Sequence, residues 1–157
     1  MNKEEMLQKI EELKELVKEH DEKPKFWRAT KGESYFYIYD SDIEYDEDRH
    51  HCIDEDRYLA GNYKPTEEVA EADAKFIKCM HKLRNAARQL NDGWVPDWND
   101  SNTYKWCIGY NHHNTSFTAY SVLGNAFVDV YFKSERLALR ALDMLDDEDK
   151  EVLKGLV

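Results

Sequence analysis

The sequence repeats itself once, and this repetition limits the folds open to the chain. Residues 63–70 (YKPTEEVA) align without gaps on residues 131–138 (YFKSERLA), at an offset of 68. The aromatic segments 35–39 and 106–110 each follow a tryptophan at the same interval, at an offset of 71. Two matches at nearly equal offsets indicate two copies of one supersecondary unit.

Each copy is predicted to contain three strands followed by one helix. Aromatic and β-branched segments favour strands, and Thr66 and Ser134 stand where helix N-caps are expected. The predicted strands are 34–39, about 43–45, 57–63 with a bulge at Gly61, 104–110, 116–123 and 126–132. The first repeat helix runs from Thr66 to a stop at 91–93, the second begins at Ser134, and a short C-terminal helix covers 147–156. The fold class is therefore α+β, with two βββα repeats that form an antiparallel sheet with helices packed on one face.

The repeats are predicted to form one domain over residues 24–157, with repeat one at 24–92 and repeat two at 93–157. An amphipathic helix within residues 1–22 precedes it, with an apolar stripe of Met6, Ile10, Leu13 and Val17. A helix of this length is marginal alone, so its stripe must dock. The sequence leaves open whether it packs on the domain or pairs two copies into a homodimer through residues 3–20.

The charge balance argues against general nucleic-acid binding. The 157 residues include 33 acidic and 22 basic side chains, for a net charge of −11, whereas phosphate contacts need clustered Lys and Arg. No apolar run is long enough to span a bilayer. The three cysteines, Cys52, Cys79 and Cys107, are widely spaced and odd in number, which favours a reducing cytosol over a disulfide framework.

The densest charge lies between residues 40 and 56. Its acidic residues are Asp40, Asp42, Glu44, Asp46, Glu47, Asp48, Asp54, Glu55 and Asp56. One interpretation is a solvated segment that keeps the chain soluble. The other is an electronegative patch that binds a basic groove on another protein. Tyr35, Tyr37 and Tyr39 share one face of the preceding strand and are expected to form an exposed aromatic face for protein binding.

Two metal sites can be tested against the residue spacing. A calcium loop that begins at Asp40 fails, because its sixth position is Tyr45 instead of Gly and its twelfth is His51 instead of Glu. His50, His51 and Cys52 are zinc-ligand types, and Cys79, His81, His112 and His113 could complete the set. The alternative is that Cys79 is a core residue and the histidines are exposed loop residues. No cofactor other than this zinc is expected.

The sequence contains no catalytic signature. It has no G-x-S-x-G, glycine-rich phosphate loop or H-E-x-x-H motif, so the chain is predicted not to be an enzyme. A small-molecule or nucleotide-binding module is an alternative. It would need a local basic pocket, for which Lys75, Lys78, Lys82 and Arg84 are the dense candidates.

Several segments give the chain a family resemblance. They are 26–27 (FW), 35–42 (YFYIYDSD), 57–63 (RYLAGNY), 66–72 (TEEVAEA), 96–100 (PDWND) and 131–135 (YFKSE). With these motifs the chain resembles small accessory proteins of phages and prophages of Gram-positive bacteria, over about residues 24–157. The His50-His51-Cys52 run lies outside the family pattern.

The resemblance implies a function without catalytic residues. Acidic accessory proteins of this size in such phages include inhibitors of type II CRISPR systems. The expectation is therefore a counter-defence protein, an anti-CRISPR that binds Cas9 in the cytoplasm of the infected host and blocks DNA loading or cleavage. No membrane partner and no sequence-specific nucleic acid are expected.

Overall fold

A computed structural model describes residues 3–21, 26–124 and 130–155 of the chain. Nine elements follow in order: α1 (Lys3–Asp21), β1 (Ser34–Tyr39), β2 (Asp42–Glu47), α2 (Cys52–Leu59), α3 (Glu67–Asn91), β3 (Lys105–Asn111), β4 (Ser116–Val122), α4 (Glu135–Leu142) and α5 (Asp147–Lys154). The predicted α+β class is confirmed. The described strands form two separate two-stranded sheets instead of one continuous sheet.

The two sheets are antiparallel hairpins with the same extra pairing. In the first, β1 pairs with β2 from Ser34–Glu47 to Tyr39–Asp42, and Phe36 exchanges two backbone hydrogen bonds with Lys64. In the second, β3 pairs with β4, and Trp106 makes the matching exchange with Phe132. Each hairpin is thus bridged to the residue that stands two positions before a helix N-cap. This shared geometry supports the repeat found in the sequence.

The structure shifts one part of the repeat by one residue. The two bridges make Phe36 of repeat one equivalent to Trp106 of repeat two, whereas the sequence match had made Tyr35 equivalent to Trp106. Tyr35 therefore corresponds to Lys105, and both side chains are almost completely buried, at 0% and 1% exposure. Because side chains alternate along a strand, a one-residue shift exchanges the two faces.

The strand predicted over residues 57–63 is wrong. Residues 52–59 form α2, because the Asp54 carboxylate accepts the backbone N–H of His51 at 2.9 Å and of Arg49 at 3.0 Å. After the helix, Asn62 pairs with the edge of β1 through its side chain, at 2.8 and 2.9 Å from the backbone N and O of Ile38. The Asn62 side chain thus forms the hydrogen bonds to β1 that a residue of a third strand would form with its backbone. Residues 126–129 of the predicted strand 126–132 lie outside the described residues.

The predicted helix boundaries near the caps are confirmed. Thr66 Oγ1 accepts the Val69 N–H at 3.3 Å, and Ser134 Oγ accepts the Leu137 N–H at 3.4 Å. The α3 helix ends at Asp92 and Gly93, which have φ values of 49° and 79°. Such positive values end a helix and favour glycine.

The described residues form two cores of different composition. The larger is aliphatic and joins α3, β3, α4 and α5, through Cys79, Leu83, Ala86, Ala87, Ile108, Val130, Phe132, Ala138, Ala141, Leu142, Leu145 and Leu153. The smaller is aromatic and consists of Ala29, Tyr35 and Tyr63, with Tyr37 and Tyr58 packed against it. The first hairpin therefore has little aliphatic core beneath it.

The N-terminal helix is confirmed, but its apolar stripe is not covered. Met6, Leu7, Ile10 and Leu13 are 46–60% exposed, and the side chain of Val17 is outside the described residues. Within the described ranges no helix is both long and apolar enough to cross a membrane.

Candidate functional site

The acidic segment 40–56 divides into three kinds of carboxylate. Two are buried, Asp48 and Asp54. Two are paired with arginine: Asp46 lies 2.9 Å from Arg57 and Glu55 lies 2.6 Å from Arg28. The other five are exposed and form no ion pair with any residue that the structure describes, namely Asp40, Asp42, Glu44, Glu47 and Asp56.

Asp48 lies at the end of the first hairpin and is completely buried. Its carboxylate accepts the Tyr63 hydroxyl at 2.7 Å, the His50 N–H at 2.7 Å and Arg28 Nε at 3.2 Å. Burial alone would raise the pKa of Asp48, but these hydrogen bonds outweigh burial and hold the pKa below its ordinary value. Asp48 is therefore a buried anion that its neighbours stabilise.

Asp54, in α2, is a second buried anion that its neighbours stabilise. It accepts the Tyr35 hydroxyl at 2.8 Å in addition to the two backbone N–H groups that start the helix. Its pKa also lies below the ordinary value, because these donors outweigh the effect of burial. Burial is in turn the main reason that the pKa of Tyr35 rises to about 12.

The two tyrosines join these carboxylates into one cluster. Tyr35 and Tyr63 stack with ring centroids 3.8 Å apart and planes 13° apart. Arg57 donates to the Tyr35 hydroxyl at 2.6 Å and lies 3.5 Å from the Tyr37 ring centroid. Within the described part of the chain, no buried side-chain N or O atom lacks a hydrogen-bond partner. The cluster thus holds the hairpin against α2.

The tyrosine face of β1 is not the exposed face that its alternation suggested. Tyr35 is buried and Tyr37 lies under Arg57, whereas Tyr39 at the end of the strand is exposed, so most of this face is covered by the cluster. The exposed aromatics are Tyr39 and Tyr45, at 61% and 72%. Tyr39 pairs with Asp42 and Tyr45 pairs with Phe36 across the hairpin, so the two rings lie on opposite faces. We call the exposed tyrosines and acids of both faces the acidic hairpin surface: Tyr39, Asp40, Asp42, Glu44, Tyr45 and Glu47.

The acidic hairpin surface includes a free sheet edge. No described residue pairs with β2 on the side away from β1. The strand carries four carboxylates in six residues, which disfavours edge-to-edge pairing of strands. Binding through this edge would therefore use side chains instead of backbone pairing.

The zinc candidates do not assemble into a complete site. Cys52 Sγ lies 3.3 Å from Nδ1 of its neighbour His51, while His50 Nδ1 lies 3.1 Å from Asp48. Cys79 is buried and donates to the Asp149 carbonyl oxygen at 3.4 Å, and burial raises the pKa of its thiol to about 11. In the ranges the structure describes, no three His, Cys, Asp or Glu side chains come together as a metal site.

The predicted basic pocket is divided between two grooves. Lys75, Lys78 and Lys82 line a groove of about 1060 Å³ between α3 and the first hairpin, and Arg84 lines another. Lys82 is held by Asp146 at 2.7 Å and Asp149 at 2.5 Å, and these bonds raise its pKa. The groove also contains four carboxylates, from Asp42, Glu44, Glu67 and Glu71. Its lysines are thus largely neutralised.

Comparisons of the chain with protein-family models, curated protein sequences and solved structures find no match. The resemblance to phage accessory proteins therefore rests on the sequence motifs alone.

Proposed function

We propose that the protein is a non-catalytic binding protein whose acidic hairpin surface covers a basic surface on a protein partner. The observation that carries this proposal is a rigidly supported hairpin with four exposed carboxylates that form no ion pair with a described residue. Such a surface attracts a basic partner at long range and raises the association rate. Tyr39 and Tyr45 supply the large amphipathic contacts that often anchor protein interfaces.

The partner is Cas9 in this proposal, as the family resemblance implies. Cas9 holds nucleic acid in a positively charged channel. An acidic protein seated in that channel would exclude DNA by occupying the phosphate-binding surface. Target DNA would then compete with the protein for the same site, and the inhibition would weaken as salt screens the charges.

Reversal of exposed acids tests the proposal. Asp42, Glu44 and Glu47 are changed together to Lys, and binding to Cas9 and inhibition of DNA cleavage are measured. Asp48 is left intact, because its burial makes it unsuitable for a surface test. We expect the association rate constant to fall by about tenfold or more at low salt.

The matched control reverses three exposed acids of the second repeat, Asp97, Glu135 and Asp143, with the same change in net charge. It should retain inhibition. Equal losses in both variants would mean that net charge alone matters and would remove the hairpin from the mechanism. A wild-type chain that Cas9 does not retain in a pull-down would overturn the choice of partner.

A second role, self-association through α1, is favoured by the exposed stripe of that helix. Met6, Leu7, Ile10 and Leu13 lie on a helix whose apolar side is uncovered. Two such helices would bury these side chains against each other. This role is compatible with the first, because the stripe and the acidic hairpin surface share no residue.

A further inference from the structure

We propose that a second groove binds a small anionic ligand with a flat aromatic ring, of the nucleotide class. The groove lies between the last turns of α3, the loop at 93–96 and the segment 130–131. Its lining residues are Arg84, Ala87, Arg88, Asn91, Gly93, Trp94, Val95, Pro96, Val130 and Tyr131. We call it the arginine groove. Its volume of about 450 Å³ falls in the range of roughly 300–1,000 Å³ typical of small-ligand sites.

The charge of the arginine groove differs from that of the rest of the molecule. Among the residues that the structure describes, none that lines the groove is acidic, although the chain has a net charge of −11. Arg84 and Arg88 are exposed, stand one helical turn apart, and form no ion pair with a residue in the described ranges. Like charges at this spacing destabilise a helix slightly. The two arginines therefore repel each other in the free protein, and a bound anion would remove this repulsion.

The lysines of the other groove, which Lys75, Lys78 and Lys82 line and which we call the lysine groove, are paired with carboxylates. Lys82 there is bound by two aspartates, and Lys75 and Lys78 lie 3.8 and 3.9 Å from Glu148. In the arginine groove, the one partner of Arg88 among the described residues is neutral, Asn85 Oδ1 at 3.0 Å. Guanidinium groups bind phosphate in a bidentate manner. The arginine groove is therefore the better anion site of the two.

The base of the groove is built before any ligand binds. Asn91 is buried, donates to the Tyr131 carbonyl oxygen at 2.8 Å and accepts the Lys133 N–H at 3.0 Å. The Asn91 carbonyl oxygen accepts the Trp94 N–H at 3.0 Å. Tyr131 packs edge-on against Trp98, with ring centroids 4.9 Å apart. These contacts fix the α3 end, the Trp94 loop and the Tyr131 segment, so little ordering remains for the bound state.

The aromatic lining indicates the second part of the ligand. Trp94 is half-buried and lies with Pro96 beside the two arginines. A flat ring can stack on the indole, and the guanidinium groups can then bind the attached phosphate. A ligand with both parts would use the apolar and the charged sides of the groove together. This site is independent of the proposed protein-binding role.

Calorimetric titration of the full chain with adenosine monophosphate tests the inference. Adenosine, ribose 5-phosphate and inorganic phosphate serve as probes that lack the phosphate, the ring, or both ring and sugar. We expect the affinity for the monophosphate to exceed the affinity for each of them by about tenfold or more, because it alone engages both sides of the groove. Equal affinity for inorganic phosphate would overturn the need for a ring.

Matched charge variants locate the binding. Arg84→Gln with Arg88→Gln should weaken binding by about tenfold or more, because the phosphate loses both guanidinium partners. Lys75→Gln with Lys78→Gln removes the same charge from the other groove and should change the affinity by less than about twofold. Trp94→Leu should reduce the preference for the monophosphate over ribose 5-phosphate. Absence of binding by the wild-type chain at millimolar ligand, or equal weakening in both charge variants, would overturn the site.

Discussion

Neighbouring acidic residues in the first hairpin have opposite environments. Glu47 is exposed and forms no ion pair with a described residue, whereas Asp48 is completely buried among Tyr63, Arg28 and the His50 N–H. A buried carboxylate requires such partners, because desolvation of an unpaired charge is costly. The acidic segment therefore combines a structural anion with a charged surface, one residue apart.

The pair Asp48→Asn and Glu47→Gln separates these two roles. Loss of the Asp48 charge weakens the bonds from Arg28 and Tyr63, and we expect the free energy of unfolding to fall by about 1.5–3 kcal/mol. Glu47→Gln should change it by less than about 0.5 kcal/mol. Urea unfolding followed by tryptophan fluorescence measures both. A similar, small effect of the two substitutions would contradict the structural role of Asp48.

The raised pKa of Tyr35 predicts that the folded protein loses stability at alkaline pH. Burial raises its pKa from 10.0 to about 12 in the folded protein. A raised folded-state pKa contributes stability that is complete below the unfolded value and is lost as pH rises through the folded value. We therefore expect the urea midpoint to fall between pH 10 and pH 12. Tyr35→Phe should reduce this dependence, although the variant is less stable at neutral pH because Asp54 and Arg57 lose a partner. An unchanged alkaline slope would show that Tyr35 is not its source.

At the scale of elements, local signals predicted α3, α4 and both hairpins but not α2. Thr66 and Ser134 are strong N-cap residues, and their helices begin as expected. The start of α2 depends on Asp54, which also binds the distant Tyr35 hydroxyl. His51 is not a preferred cap, and the aromatic RYL sequence suggested a strand. The Asp54 cap is local, and its bond to Tyr35 ties the start of α2 to a residue that is remote in sequence.

The alignment of the second hairpin with the first could not be predicted for a similar reason. The sequence match aligned aromatic Tyr35 with aromatic Trp106, but the structure places Lys105 at that buried position. Lys105 Nζ donates to the carbonyl oxygens of Asp100 and Leu123 and lies 5.5 Å from the Trp98 ring centroid. A lysine is expected to be exposed, so only its tertiary partners explain its burial.

The exposure of the acidic segment was predicted in outline, and its role as a binding site stays a prediction. The acidic segment is largely exposed, as charge alone suggested, but residue type could not distinguish Asp48 and Asp54 from their exposed neighbours. The arginine groove was missed apart from Arg84. In the sequence, Arg88 follows Arg84 by four residues, and Trp94 follows the end of the helix. These residues line a groove only together with the segment 130–131, and its position beside them could not be predicted from the sequence.

Gly109 in β3 gives a prediction about the second hairpin. A methyl group at this position would overlap the ring of Tyr120, which covers the glycine from β4. Gly109→Ala should therefore displace the ring and cost about 1–3 kcal/mol of unfolding free energy. In a Tyr120→Ala background the same substitution should cost much less, since the ring is absent. Equal costs in both backgrounds, measured by urea unfolding, would exclude the ring as the cause.

At the scale of the whole molecule, α3 joins two halves with different chemistry. Residues of α3 between Glu67 and Asn85 line the lysine groove beside the acidic hairpin, and other residues of the helix, between Cys79 and Ala87, enter the aliphatic core. The first hairpin is held by hydrogen-bonded charges and stacked tyrosines, the second by apolar packing. Acid or salt should therefore perturb the first half before the second, because apolar burial does not depend on charge.

The exposed stripe of α1 gives the last prediction, on the assembly of the chain. Ile10→Glu with Leu13→Glu should leave the unfolding free energy within about 0.5 kcal/mol of wild type, because both side chains are already exposed. If two copies pair through this stripe, the same variant should lower the mass measured by light scattering, and the difference should grow with concentration. Lys9→Gln with Lys14→Gln makes the same change in net charge, keeps the stripe and should retain the wild-type mass. A wild-type chain that stays monomeric at every concentration would contradict pairing through α1, whereas a large loss of stability would mean that the stripe packs against its own chain.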